Sequence, residues 1–177
     1  DVAREWRKAS LKIQNSLSAS TGQLRLSQAG SGAPGTFRFS LLTSIFSGSG
    51  VLCNQESPCP SIDGRDPTAE DQLDQVSAHL GLSATLLPFL EAYIGFHNKA
   101  TANSRGRPQL LQVLGDTNLG VKGFLPAEPD RLYSFGGEME LWLLNGTGGV
   151  GLDGGGTSFV VGGLGTLDLV NPLNARQ

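Results

Sequence analysis

The chain has no run of about 18 or more predominantly apolar residues, which excludes a transmembrane helix. Charge is also scarce: Asp, Glu, Lys and Arg make up 16 % of the 177 residues, against about 25 % in an ordinary soluble domain. A formal net charge of −3 supplies no basic surface, so no nucleic-acid partner is expected. Histidine and cysteine occur twice each, and both histidines lie far along the chain from the two cysteines, which leaves a zinc site short of ligands; neither a metal nor a cofactor is expected. No signal peptide is visible and the sequence opens on Asp1, which reads as a processed or truncated product.

Glycine is plentiful, at 25 residues. A transmembrane barrel has such a profile, because half of every strand must be uncharged and the other half need only be polar. A glycine-rich soluble β-sandwich has it too, so the pattern along the chain must decide.

That pattern is clearest between Asp74 and Thr101. Val76, Ala78, Leu80, Leu82, Ala84 and Leu86 take even positions, and Gln75, Ser77, His79, Gly81, Ser83 and Thr85 take odd ones. After Leu87-Pro88, Leu90, Ala92, Ile94 and Phe96 alternate with Glu91, Tyr93, Gly95, His97 and Lys99. A period of two marks a strand with one apolar and one polar face, and two such runs around a very short turn predict a β-hairpin. Each arm alternates for roughly ten residues or more, about what a tilted strand needs to cross a bilayer.

The same alternation predicts strands over 36–46, 111–125, 133–144 and 157–170, and a weak one over 23–29. Residues 1–20 differ: Val2, Trp6, Ala9, Ile13 and Leu17 recur at helical spacing among Arg4, Arg7, Lys8 and Lys12, predicting a short helix. Connections alternate in length. The stretch from Ser47 to Leu73 is long, the turns at 88 and 126–130 are short, and 103–108 and 145–156 lie between. Short turns at one end and longer loops at the other characterise outer-membrane barrels, whereas Greek-key sandwiches do not alternate so regularly.

The expectation is an all-β, antiparallel, up-and-down transmembrane β-barrel, with six to seven strands here and a short N-terminal helix. Its parts are an N-terminal segment (1–20), a barrel region (21–170) and a tail (171–177). Arg38, His79, Glu91, His97, Lys99, Asp116, Lys122, Glu138, Glu140 and Asp168 would face the lumen, with both signs available for pairing. Phe37, Phe39, Leu80, Leu82, Ile94, Phe96 and Leu141 would face lipid. Cys53 and Cys59 are expected to form a disulfide that pinches the long loop. The alternative is a secreted or surface β-sandwich that binds a partner through that loop.

Four stretches, TGQLRLSQAGSGAPGTFRFSLLTSIF (21–46), LGLSATLLPFLEAY (80–93), RPQLLQVLGDTNLGVKGF (107–124) and LWLLNGTGGVGLDGGGTSF (141–159), resemble the N-terminal β-barrel region of myxobacterial-type outer-membrane proteins. Some of those proteins continue into an OmpA-like domain. The resemblance implies a protein of the Gram-negative cell outer membrane, acting as a pore or as an anchor in an envelope assembly. Outer-membrane lipid and other envelope proteins would be its partners. This chain carries no OmpA-like domain, so peptidoglycan binding does not carry over. Single-chain bacterial barrels have at least eight strands, so further strands are expected from additional sequence, another chain or the N-terminal segment.

No enzyme is expected. Ser83 lies four residues from His79 on one strand, about 13 Å away at the rise per residue, too far for a nucleophile and its base; a hydrolase would need His97 brought to Ser83. Gly-Leu-Asp-Gly-Gly-Gly at 151–156 lacks the lysine and following helix of a phosphate loop. The acidic stretch from Asp63 to Asp74 does not match an EF-hand.

Overall fold

The alternating stretches become strands, over much the same residues that their alternation marks out. A computed structural model describes residues 13–23, 25–51, 53, 70–105, 110–125, 133–144 and 156–167, with the backbone alone at 111–114. Two short strands, β1 (Gly22–Gln23) and β2 (Leu26–Ser27), precede six long ones. These are β3 (Phe37–Ser49), β4 (Gln72–Leu87), β5 (Leu90–Asn103), β6 (Leu110–Phe124), β7 (Tyr133–Leu144) and β8 (Gly156–Leu167). The long strands run 12 to 16 residues, well beyond the usual five or six.

The six form one antiparallel sheet in chain order, while β1 and β2 pair with each other alone. Among the described residues β3 pairs only with β4 and β8 only with β7. The up-and-down order is therefore as expected, but the sheet is not closed into a barrel. The helix expected over 1–20 is corrected where it is described; residues 1–12 lie outside the described residues. From Ile13 to Ser20 there is no helix. Asn15 bridges Thr21, the Ser16 N–H donates to the Ser20 carbonyl at 2.7 Å, and Ala19 sits at φ 73°. Asn, Ser and Thr compete with the backbone for hydrogen bonds and favour turns over helix interiors, and a left-handed Ala19 ends any helical register.

Two irregularities interrupt the ladder. One extra residue, Leu86, separates the pair Thr85–Glu91 from the pair Leu87–Leu90. The other is a bulge in β6 opposite Asn98, where Gly115 takes φ +77° and gives its N–H to Asn98 Oδ1 at 2.9 Å. A left-handed bulge residue suits glycine because it has no Cβ to clash.

The sheet is inside-out by soluble standards. Large apolar side chains stand exposed on it, Ile45 at 81 % and Phe37 at 80 %, joined by Phe39, Phe135, Phe159 and Val161. Its fully buried ones are headed by Lys122, Glu91 and Asn118. Odd positions of β3, even positions of β4 and β5, and odd positions of β6 from Leu119, of β7 and of β8 make up the apolar face.

Residues 13–23 and 25–34 cover the opposite, polar face. Ser31 Oγ meets Thr85 Oγ1 of β4 at 2.6 Å, and two residues earlier the Ala29 N–H donates to Thr166 Oγ1 of β8 at 2.8 Å. Chain reach holds those two threonine hydroxyls within about 14 Å, whereas four strand spacings in a flat sheet amount to about 19 Å. The sheet is therefore curled around the segment, polar side inward.

Candidate functional site

The strand register arranges the inner face in rows. From the turn end upward, the first row is Thr85–Glu91–Lys122–Glu138–Gly162 and the second Arg38–Ser83–Tyr93–Gly120–Glu140–Val160. The third is Ser40–Gly81–Gly95–Asn118–Trp142–Ser158, and the fourth Leu42–His79–His97–Asp116. Directly opposite residues lie about 4.5–5.5 Å apart at Cβ, so each row is a chain of touching neighbours.

The first row holds an ion pair from which solvent is excluded. Lys122 Nζ lies 3.4 Å from Glu91 Oε2, with both side chains 0 % exposed. Two buried charges lose more hydration than their mutual attraction restores unless other groups complete their hydrogen bonds. Thr21 supplies those groups. Its N–H donates to Glu91 Oε1 at 2.7 Å and its hydroxyl donates to Glu91 Oε2 at 2.6 Å, with the Gly30 carbonyl also in reach at 2.8 Å. Lys122 in turn donates to the Thr21 hydroxyl oxygen at 2.5 Å and to its carbonyl at 3.1 Å. One threonine of the covering segment thus serves both charges.

In the second row Tyr93 lies flat across bare backbone. A Cβ built at Gly120 would fall inside the Tyr93 ring, so glycine there lets the phenol reach Glu140 Oε1, to which it donates at 2.7 Å. Trp142 Nε1 donates to the other oxygen of Glu140 at 2.7 Å. Replacing Gly120 by valine is expected to force the ring aside and cost about 1–3 kcal/mol, the usual penalty for overpacking. The check is the urea midpoint of the folded variant; an unchanged midpoint would show that the ring does not lie there.

The second and third rows also meet the covering segment, and the third meets the fourth. Ser83 Oγ donates to Asn15 Oδ1 at 2.9 Å, and Asn118 Nδ2 donates to the Ser18 carbonyl at 2.8 Å. His79 and His97 stand opposite one another, their Nδ1 atoms 2.8 Å apart, and the His97 ring stacks on Trp142 with centroids 4.9 Å apart. Beside them a cavity of about 570 Å³ is lined by residues 13–17, 37–42, His79 and Gly81.

Of the polar residues singled out from the sequence, Glu91, Lys122 and Glu140 are buried, and Arg38, His79, His97, Asp116 and Glu138 are half-buried on the same face. Lys99 is exposed, and Asp168 lies outside the described residues. Arg38 Nη1 reaches Ser31 Oγ at 3.4 Å and Thr85 Oγ1 at 3.3 Å. On the opposite face Phe37, Phe39 and Leu82 are exposed, and Leu80, Ile94, Phe96 and Leu141 are half-buried. Ser83 and His97 are not brought together, since Ser83 faces Tyr93 in the register and His97 faces His79. Cys53 is buried and is not a free thiol, while Cys59 lies outside the described residues.

Several residues of this face carried no signal of their own. Asn15 and Ser18 belong to the stretch read as helix, Thr21 falls between it and the weak strand, and Asn118 and Trp142 look like ordinary strand residues. Asp71 anchors the long loop: its carboxylate accepts from the Cys53 N–H at 3.0 Å and from Asn103 Nδ2 at 2.5 Å. Among the described residues no group of three or more His, Cys, Asp or Glu gathers around a point that would hold a metal ion. Comparison with known proteins finds no matching family, no matching curated protein and no matching solved structure.

Proposed function

We propose that this chain is part of an outer-membrane β-barrel of a Gram-negative bacterium and acts as a membrane anchor in an envelope assembly. One observation carries the reading: a single sheet exposes Phe, Leu, Ile and Val on one face while it buries Lys122, Glu91, Asn118 and Glu140 under the other. In water that distribution loses on both faces, since apolar surface stays hydrated and charges are desolvated. In a bilayer the apolar face finds its solvent, and the backbone groups are satisfied within the sheet. The open edges at β3 and β8 would each cost several kcal/mol per unsatisfied group in hydrocarbon, so further strands, from this or another chain, are part of the proposal. The likeness to myxobacterial-type barrel regions points the same way.

An anchor is favoured over a pore because residues 13–23 and 25–34 occupy the curled sheet and hydrogen-bond to its inner face. A Cys53–Cys59 disulfide closing the long loop at the other end belongs to the same proposal. The sandwich gains no support, because the only other sheet among the described residues is the two-residue pair β1–β2.

Fractionation tests the reading. The chain, expressed with an export signal, is expected in the membrane pellet, soluble only with detergent, and shifted on gels between unheated and boiled samples. A freely soluble, monomeric product would overturn it.

A further inference from the structure

We propose that His79 and His97 together chelate one divalent transition-metal ion, Cu²⁺ first among them by the general affinity order of nitrogen ligands, on the inner face of the sheet. They are the only two histidines in the chain. The register nevertheless sets them directly opposite each other on adjacent strands, with Nδ1 atoms 2.8 Å apart. Two imidazole nitrogens about 2.0 Å from one metal in adjacent positions lie about 2.8–3.3 Å apart, so the pair needs only a small shift to bracket an ion.

The surrounding hydrogen bonds fix which nitrogen is available. The Ser18 carbonyl can only accept, so the amide end of Asn118 at 2.8 Å from it is Nδ2. Asn118 Oδ1 therefore points at His97 Nε2, 2.8 Å away, and must accept from it. His97 thus carries its proton on Nε2 and leaves Nδ1 bare, turned toward His79. An imidazole held by a hydrogen bond through its far nitrogen is the usual arrangement of a metal-binding histidine. Trp142 stacks on the same ring and holds its plane, and Gly95 leaves room for Asn118, whose Oδ1 a Cβ there would strike. Without metal, His79 Nδ1–H donates to the bare nitrogen. With metal, that proton moves to Nε2, and a turn about χ2, a soft torsion in histidine, brings both lone pairs to one point.

The chain supplies two ligands, and water supplies the rest. His79 lines the cavity of about 570 Å³, which leaves the other coordination positions open to solvent and to a small anionic or nitrogenous ligand.

The test is a titration of the full purified chain with Cu²⁺, read by electron paramagnetic resonance. One ion per chain, with hyperfine structure from two equivalent imidazole nitrogens, is expected. Because no other imidazole exists in the chain, a spectrum showing one or none overturns the proposal, whatever the variants do. His79→Ala is expected to weaken binding at least a hundredfold. Asn118→Ala, which removes only the support, is expected to weaken it about 10–100-fold while keeping both nitrogens in the spectrum. Binding that survives unchanged in the unfolded chain would also overturn it, since the site depends on the cross-strand register.

Discussion

Replacing Lys122 by methionine is expected to destabilise the folded chain by about 3–5 kcal/mol, the cost of leaving a buried partner charge without its counterion. The size matters because an exposed pair of the same residues would be worth only about 0–1 kcal/mol. Glu91 keeps both donors of Thr21 in that variant, but it loses the ammonium 3.4 Å away. Adding Glu91→Gln is then expected to recover much of the loss: the neutral amide oxygen still accepts from the Thr21 N–H, and no charge remains to be desolvated. Urea midpoints of wild type, single and double variants form the cycle. A loss below about 1 kcal/mol in the single variant would place the pair in contact with water.

The second large effect concerns the other face. Leu82→Arg puts a guanidinium in the exposed apolar surface beside Phe39 and Ile94, its register partners. If that surface meets hydrocarbon, the cost is about 2–4 kcal/mol near the midplane, enough to block membrane assembly. Gln72→Arg, at the end of the same strand, is the control, with an expected cost of about 0–1 kcal/mol at the interface. The readout is the heat-modifiable band in isolated membranes. Equal assembly of the two variants would mean that Leu82 faces something other than lipid.

Much of the sheet was legible because a period of two needs no tertiary context. The face of every described residue of the central hairpin followed from whether its number was odd or even. The bulge at Leu86 follows only once Leu87 is seen to pair with Leu90. If Leu87 pairs with Leu90 and the ladder continues straight, Leu86 falls opposite Glu91 and His79 opposite Asn98, each apolar position facing a polar one. A slip of one residue flips every side chain, so an extra residue near the turn was required for the two apolar sets to share a face. It is this residue that sets His79 against His97. The bulge at Gly115 had no such warning, since the alternation in β6 looks unbroken on either side of it.

The covering segment was not legible. Ile13 and Leu17 fit a helical spacing, yet two apolar residues in a run of Asn and Ser do not outweigh the turns those residues prefer. Its contacts also lie far along the chain, with Thr21 70 residues from Glu91 and 101 from Lys122. No local pattern encodes a partner at that distance. Thr21 became visible as the keystone of the ion pair only once the sheet was curled around it.

The bond from Ala29 to Thr166 also constrains time. The two residues are 137 positions apart, so the segment that fills the sheet is made early and must wait for the last described strand before its own hydrogen bonds are complete. Contacts between such remote residues form slowly, because the entropy of closing the loop is lost before the bond is gained. Until then Thr21 and its neighbours must be kept hydrated or held by a helper, and the strands must wrap inward around them. The covering segment is thus a mandrel on which the sheet is wound, present before the winding starts.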